Sequence, residues 1–362
     1  MRVAIVNRHL ADKVGGSEVQ TGLLAEQLTA RGHDVVYVAP TRGSPADYGT
    51  DYEVVPVAPR GGAIGGAVVD ARPDVVYWRF NKIGLRAAAR RIAAAGIPLV
   101  FAVAHITDLQ PWAHRPQGGN RLRALAAVPV MKTLSRWRHP GLAYAMAMTT
   151  NNPDYLPLLR TDRAVYVANG MRADAVPFAH ERPFCLWVAN LKGSKRPDLL
   201  VPLARELAAD NVDLLVVGVP QEPGYEHLVE GRGLPPNLHY LGPKSLEEVN
   251  GMFAAADLHV HTCMPEGFSN VFIQAWLQGC PSVSLGFDPG GYIESQGLGG
   301  DAGDDWQQFV RLVRELLDDD GARAAAGERA RAFAQATFGV ETMVDRVEAL
   351  LHEVVSGSRP RA

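Results

Sequence analysis

The sequence predicts an α/β protein made of two doubly wound parallel-sheet domains. At 362 residues the chain is long for one domain and natural for two. Strand and helix signals alternate from Arg2 onward, and the alternation restarts at Phe184. The strand-like runs are continuously apolar, which is typical of parallel sheets covered by helices on both faces. We therefore expect domains at residues 1–170 and 171–340, joined near Asn169-Gly170.

The first half opens with a strand, a glycine loop and a helix. Gly15-Gly16 forms the loop, and Ser17 with Gln20 reads as a capping box for a helix that Gly32 stops. Four apolar runs predict strands: Arg2 to Asn7, Val35 to Ala39, Asp74 to Trp78 and Pro98 to Ala104.

The second half repeats this order. Strands are predicted at Phe184 to Ala189, Asp213 to Gly218 and Ala256 to Thr262. Pro197 opens a helix at a position that proline favours, and Ser245 with Glu248 forms a second capping box. The final stretch, Glu341 to Val355, is an amphipathic helix followed by a polar tail.

Charge is distributed unevenly along the chain. Residues 1–170 hold 20 Lys/Arg and 12 Asp/Glu, a net +8, whereas residues 171–362 hold 16 and 27, a net −11. The basic surplus peaks within residues 109–153, where tryptophans accompany the arginines. Such a patch suits an anionic or membrane-linked partner, although a solvated basic face is the alternative. Nucleic acid is not expected, because no recognisable binding motif accompanies the charge.

Several classes of protein are excluded. No stretch reaches the roughly 18 apolar residues of a membrane span, and the first residues do not read as a signal peptide. Three cysteines without metal-type spacing fit a reducing, cytoplasmic setting. There is no dinucleotide fingerprint, P-loop or nucleophile elbow, and neither a metal site nor a cofactor is expected.

The most informative segment is Pro265 to Gly279. It reads as a loop with Glu266 and Gly267, then a helix that ends at Gly279. Along that helix only Asn270, Gln274 and Gln278 are polar, and their spacing of four places them on one face. First-turn N–H groups bind anions, and Glu266 accepts hydrogen bonds from hydroxyls. This combination suits a nucleotide-sugar; the alternative is a buried helix with a capped start.

The first loops of the two domains supply further candidates. Ligands of open α/β sheets bind at the carboxyl ends of the strands, where Gly15 and Gly16 lie in one domain and residues 192–196 in the other. Glycines permit close backbone approach, and Lys195 before a helix is placed for a phosphate. Ordinary loop charge is the alternative for Lys192 and Lys195.

Taken in order, these segments resemble the family 4 glycosyltransferases, which have the GT-B fold. The resemblance rests on Gly15-Gly16-Ser17-Glu18, on His105 after its strand, on Val167 to Met171 as a hinge, on Trp187 to Leu200, and on Glu266 to Pro281. It implies retaining, metal-independent transfer of a sugar from a nucleotide-diphosphate-sugar, with the C-terminal residues 341–362 packing back on an acceptor-binding first domain.

The resemblance also implies roles for residues. Lys195 neutralises the leaving diphosphate, Glu266 orients sugar hydroxyls and steadies positive charge, and His105 lines the reacting face. The donor would further be bound by Gly15, Gly16, Asn190, Lys192, Arg196, Gly267, Phe268, Ser269, Asn270 and Gln274. The acceptor is a glycan, a lipid-linked molecule or a small molecule, and peripheral binding at the inner membrane face would place the enzyme near a lipid-linked one.

Two positions depart from the family pattern. Gln274 stands where the family usually has a second glutamate for the ribose, and Asn190 where it often has arginine. Two alternatives therefore remain beside an active transferase. One is a catalytically weak binding or scaffold protein, and the other is a different GT-B activity, such as a sugar-nucleotide epimerase or an inverting transferase.

Overall fold

The computed structural model describes residues 1–12, 15–43, 48–81, 84–109, 139–159, 161–263 and 268–358. The chain divides into two compact units. Unit 1 comprises Met1–Gly170 together with Val340–Ala362, and unit 2 comprises Met171–Gly339. The chain thus leaves unit 1 once and returns to it.

Unit 1 contains a seven-stranded parallel sheet in the order β3-β2-β1-β4-β5-β6-β7. Its strands are β1 (Arg2–Val6), β2 (Asp34–Pro40), β3 (Glu53–Val57), β4 (Val75–Trp78), β5 (Leu99–Val103), β6 (Ala147–Thr150) and β7 (Ala164–Tyr166), and the helices between them are α1 (Gly16–Ala30), α2 (Gly61–Ala71) and α3 (Leu85–Ala94). Strands β4, β5 and β6 are buried along their whole length, as expected for a parallel sheet with both faces covered.

Unit 2 contains a six-stranded parallel sheet in the order β10-β9-β8-β11-β12-β13. Its strands are β8 (Phe184–Val188), β9 (Asp213–Val217), β10 (Leu238–Tyr240), β11 (Leu258–His261), β12 (Ser282–Ser284) and β13 (Gly299–Asp301). Its helices are α4 (Leu200–Leu207), α5 (Glu226–Val229), α6 (Leu246–Ala255), α7 (Asn270–Leu277), α8 (Tyr292–Ser295), α9 (Trp306–Asp318) and α10 (Asp320–Thr337). The two doubly wound parallel sheets predicted from the sequence are therefore confirmed.

The last helix, α11 (Val340–Ser358), packs within unit 1. Its apolar side chains are buried, among them Met343, Val344, Val347, Leu350, Leu351 and Val354. Arg31, just after α1, forms ion pairs with Glu341, Asp345 and Glu348 of α11 at 2.6 to 2.7 Å. Burial of an apolar face is the larger contribution, because exposed ion pairs add little each.

The two predicted capping boxes have different outcomes. Ser245 and Glu248 form both hydrogen bonds of the motif at the start of α6. Ser17 and Gln20 do not cap α1, whose N-cap residue is Gly15. Gln20 instead exchanges two hydrogen bonds of 2.8 Å with the backbone of Gly170. The predicted capping box of Ser17 and Gln20 was wrong because the Gln20 side chain bonds the backbone of Gly170. This partner is 150 residues away and cannot be predicted from neighbouring residues.

No helix among the described residues combines the length and apolar character needed to cross a membrane. The predicted basic patch, residues 109–153, has its central part, 110–138, outside the described residues.

Candidate functional site

The order of strands in unit 2 locates its ligand-binding edge. From β8 the chain continues to β9 on one side, and β11 later pairs with β8 on the other side. Such a reversal opens a crevice at the carboxyl ends of the two central strands, where ligands of open α/β sheets bind. The segments after β8 and β11 carry the predicted residues Lys195 and Phe268.

The segment after β8 forms a short, well-defined basic turn. Gly193–Lys195 is one turn of 3₁₀ helix, and the Lys195 N–H donates to the carbonyl of Lys192 at 2.8 Å. Arg196 ends the turn in the left-handed conformation, with φ of 52°. Pro197 then leads into α4. Lys192, Lys195 and Arg196 are therefore presented within five consecutive residues.

Thr262 joins this basic turn to the end of β11. The Thr262 hydroxyl donates to the Lys195 carbonyl at 2.9 Å and accepts from the indole N–H of Trp187 at 2.9 Å. Both Thr262 and Trp187 are buried, so these bonds fix the Lys195 backbone against the sheet. Sequence reasoning did not assign Thr262 a role; its only signal was its place at a strand end.

The charges of the turn have different surroundings. Arg196 forms an ion pair with Asp304, so part of its charge is neutralised within unit 2. The Gly193 N–H donates to the Glu222 carboxylate at 2.7 Å. Lys195 is half-buried, and Thr262 holds its carbonyl, while Asn190 and Lys192 flank the turn.

The motif after β11 is described from Phe268 onward; Glu266 and Gly267 lie outside the described residues. Phe268 is buried, with Trp276 and Phe338 rings beside it. Helix α7 starts at Asn270 after the N-cap residue Ser269, whose side chain makes no capping bond. The amides of this helix start therefore receive no hydrogen bond from the Ser269 side chain, which suits an anion.

Two of the polar side chains on one face of α7, Gln274 and Gln278, form structural hydrogen bonds. Gln274 is buried and donates to Asn250 at 3.0 Å. Asn250 in turn donates to the carbonyls of Arg172 and Asp174, at 3.1 and 2.7 Å, and Gln278 donates to the Ala173 carbonyl at 2.8 Å. These amides hold the first segment of unit 2 in place. The donor-binding role predicted for Gln274 remains a prediction.

Two buried histidines line β11 beneath this edge. His259 and His261 each face a serine of β12 across the strand pair. Nδ1 of His259 lies 2.9 Å from Oγ of Ser282, and Nδ1 of His261 lies 3.4 Å from Oγ of Ser284. Burial lowers the pKa of His259 to about 3. Burial, His259 and Lys195 hold the pKa of His261 well below its ordinary value.

This histidine pair should make the protein acid-labile. The unfolded chain binds a proton at His259 near pH 6.5 while the folded chain does not, so stability falls as pH drops from about 6.5 toward 3. For His259 alone we expect a loss of about 2 kcal/mol at pH 5. Urea unfolding measures the free energy of unfolding at pH 7.5 and at pH 5. The difference between these two free energies should be smaller in His259→Leu than in the wild-type chain. The exposed His227→Leu is the control; an unchanged difference in His259→Leu would refute the assignment.

In unit 1 the same reversal of strand order lies between β1 and β4. Gly15 and Gly16 follow β1, with Gly15 extended at the start of α1 and Gly16 exposed as its first residue. Buried Asn7, after β1, donates to the Ser17 carbonyl and hydroxyl and to the Thr21 hydroxyl, at 3.0 to 3.1 Å. The glycine loop is thus tied to the carboxyl edge of the sheet.

His105 also lies at this edge, two residues beyond β5. The N–H groups of Ala104 and His105 both donate to Asp108, at 3.0 and 2.9 Å, so one carboxylate fixes the backbone that carries the imidazole. The ring is half-buried. Gly15, Gly16 and His105 therefore belong to unit 1, and Asn190 to Gln274 belong to unit 2.

Most of unit 2 is similar to a known protein family. The model described as "Glycosyl transferases group 1" matches residues 173–333. Residues 173–333 are therefore similar to this family. The matched region contains the basic turn, Thr262 and helix α7.

Two curated relatives match about half of the chain. D-inositol 3-phosphate glycosyltransferase of Salinispora tropica is 28% identical over 216 residues, covering 54% of this chain and 44% of the relative. The Corynebacterium efficiens enzyme of the same name is 29% identical over 192 residues, covering 49% and 45%. The matches therefore span less than half the length of these relatives.

Solved structures resemble the chain over nearly its whole length. The Anabaena protein HepE, in complex with UDP and glucose, has a TM-score of 0.73 at 18% identity and covers 98% of this chain and 100% of its own. Sucrose-phosphate synthase from Thermosynechococcus elongatus has a TM-score of 0.75 at 15% identity, covering 99% and 100%. At such identities the likeness shows the fold, and the predicted GT-B class is confirmed.

Proposed function

We propose that the chain is a retaining glycosyltransferase that moves a sugar from a nucleotide-diphosphate-sugar to an acceptor without a metal ion. The observation that carries the proposal is the hydrogen bond from Thr262 to the Lys195 carbonyl. It joins the two most informative sequence segments, the basic turn and the motif that begins after β11, at the strand-order reversal of unit 2.

Each part has a defined task in this reaction. Lys195 stabilises the negative charge that builds on the diphosphate as the glycosidic bond breaks. The amides at the start of α7 add dipoles of the same sign. Glu266 holds sugar hydroxyls, and the roles proposed for His105, Gly15 and Gly16 are those that the family resemblance implies.

The relatives support a choice of substrates. HepE was solved with UDP-glucose, so a UDP-sugar is the first donor to test. The curated relatives are named for a phosphorylated acceptor, D-inositol 3-phosphate. A phosphorylated or otherwise anionic acceptor also suits the net charge of +8 in residues 1–170. The proposed acceptor class is therefore anionic, including lipid-linked molecules.

Ligand-induced stabilisation gives the first test. Thermal unfolding is followed with a panel of nucleoside diphosphates and their sugar conjugates, and a diphosphate that binds only the folded chain raises Tm with concentration. We expect one base to stand out, followed by release of that diphosphate when an acceptor is added. NMR of the product then reports whether the anomeric configuration is retained; inversion would refute the retaining part of the proposal.

The scaffold alternative is tested by two substitutions. Gln274→Glu and Asn190→Arg restore the residues that the family commonly has, and Gln278→Glu is a matched control on the same helix. Wild-type turnover of any nucleotide-sugar excludes a non-catalytic scaffold. A chain that binds no nucleotide and gains no turnover from the two substitutions would refute the proposed function.

A further inference from the structure

Two histidines and one aspartate, side chains of the types that bind metal ions, lie close together at the edge of unit 2 opposite to the basic turn. Asp213 is the first residue of β9, His239 lies in the neighbouring strand β10, and His180 precedes β8. One ligand atom from each lies within 4.8 Å of the others. The site is at the amino ends of the parallel strands, whereas Lys195 follows a carboxyl end, so the cluster stands apart from the proposed reaction.

The central carboxylate is almost completely buried. The Asp213 side chain is 2% exposed, and its Oδ2 atom lies 2.6 Å from Nε2 of His180. Nε2 of His239 faces the same oxygen at 3.5 Å, which is longer than a good hydrogen bond. That nitrogen is itself buried and has no hydrogen-bond partner among the described residues. A buried nitrogen and a buried oxygen thus face each other without a direct bond.

The spacing matches that of two ligands on one metal ion. Zinc binds histidine nitrogen and carboxylate oxygen at about 2.0–2.2 Å in tetrahedral geometry, which places neighbouring ligand atoms about 3.3 Å apart. The distance from His239 to Asp213, 3.5 Å, is close to this separation. His180 is closer than that, but it lies in the segment before β8 rather than in a strand, and a shift below 1 Å would bring it to the same distance.

Arg182 completes the surroundings of the carboxylate. Its guanidinium forms an ion pair with Oδ1 of Asp213, and its Nε atom donates to Oδ2 at 3.1 Å. This arrangement orients the carboxylate, as partners of metal ligands commonly do. The positive charge of Arg182 opposes a bound cation, so moderate rather than very tight affinity is expected.

A second cluster in unit 1 provides a comparison. His33, Glu348 and His352 also lie within reach of one ion. There the Glu348 oxygens pair with His33 and Arg31, both at 2.7 Å, as those of Asp213 pair with His180 and Arg182, but the Glu348 side chain is 22% exposed. His352 is 59% exposed and 4.0 Å from the nearer oxygen. This cluster lacks the buried carboxylate and the unsatisfied nitrogen, and it supplies a matched control.

We propose that His180, Asp213 and His239 bind one divalent transition-metal ion, with zinc as the first choice and water as the fourth ligand. Two imidazoles and one carboxylate form a donor set that suits zinc. The ion is structural, because it joins the segment before β8 to β9 and β10 at the edge remote from the basic turn. Sequence spacing could not reveal it, since the ligands are about 30 residues apart.

The full-length chain tests this directly. Protein treated with EDTA and desalted is titrated with zinc chloride in competition with a chromophoric chelator, and Tm is followed with and without zinc. We expect one equivalent bound and a rise in Tm that EDTA reverses. Cobalt(II) in place of zinc should give the intense visible absorption of a tetrahedral site. Absence of zinc binding and of that absorption in the wild-type chain would overturn the proposal.

Variants assign the ion to the site. His239→Gln and His180→Gln should lose the bound equivalent, whereas His352→Gln in the comparison cluster should keep it. Circular dichroism verifies that each variant is folded. Asp213→Asn is avoided because it also removes the partner of Arg182. Binding that persists in both His239→Gln and His180→Gln, or that disappears in His352→Gln, would refute the assignment.

Discussion

Replacing Lys195 with alanine should reduce kcat/KM for the nucleotide-sugar by roughly 100-fold or more, the loss expected when one preorganised stabiliser of transition-state charge is removed. The backbone at this position is held by Thr262, which donates to the Lys195 carbonyl at 2.9 Å. The substitution therefore removes the ammonium group and leaves the turn in place. The same variant should bind the free nucleoside diphosphate more weakly, because that ligand carries the charge that Lys195 meets.

Calorimetry measures the affinity of the Lys195→Ala variant for the diphosphate, and initial-rate kinetics measure its kcat/KM. Lys244→Ala is the control, because Lys244 lies outside the basic turn and pairs with Glu248 of α6 at 3.6 Å. It removes an equal charge from the same domain and should leave both quantities unchanged. Unaltered diphosphate affinity in Lys195→Ala would show that the basic turn is not the phosphate site.

Replacing Gly251 with alanine should destabilise the protein by about 3 kcal/mol, at the upper end of ordinary overpacking. A Cβ atom at this position would lie 1.6 Å from the carbonyl oxygen of Val176. That backbone is fixed, since the Val176 N–H donates to Glu247 at 2.9 Å and Asn250 holds the carbonyl of Asp174. Either α6 or the 172–176 segment must move.

A glycine elsewhere isolates this steric effect. Alanine in a helix is normally more stable than glycine by up to about 1 kcal/mol, so Gly251→Ala without a clash would stabilise the chain. Gly62 of α2 is exposed, with nothing within 4 Å of a built Cβ, and Gly62→Ala should be neutral or stabilising. Urea unfolding measures the free energy of unfolding of Gly251→Ala and of Gly62→Ala, each against the wild-type chain. Equal stability of both variants would contradict the close approach at Gly251.

The fold was largely predictable because its strands are continuous apolar runs. The predicted runs from Arg2, Phe184 and Asp213 coincide with β1, β8 and β9 to within a residue at their ends. Short strands were missed: β12 and β13 have three residues each, and β13 (Gly299–Asp301) has none of the apolar character that marks a strand. Pairing with a neighbouring strand, rather than local preference, makes it a strand.

The residues of the candidate site could be proposed from the sequence where their chemistry is local, but their hydrogen-bond partners could not be predicted where these lie far away along the chain. Lys195 before a proline-led helix is visible in the sequence. The partner of Gln274 is Asn250, and that of Gln20 is the backbone of Gly170, and neither can be read from spacing along the chain. The buried histidines of β11 resembled ordinary strand residues until the serines of β12 were placed beside them.

The return of the chain to unit 1 has a consequence for its synthesis. Residues 171–339 leave the ribosome before Val340–Ser358, whose buried apolar side chains pack within unit 1. Unit 2 is therefore complete in sequence while unit 1 still lacks one of its helices, although unit 1 begins first. Domains generally fold as units during translation. A released chain truncated after Gly339 should thus have a protease-resistant second half and a protease-sensitive first half.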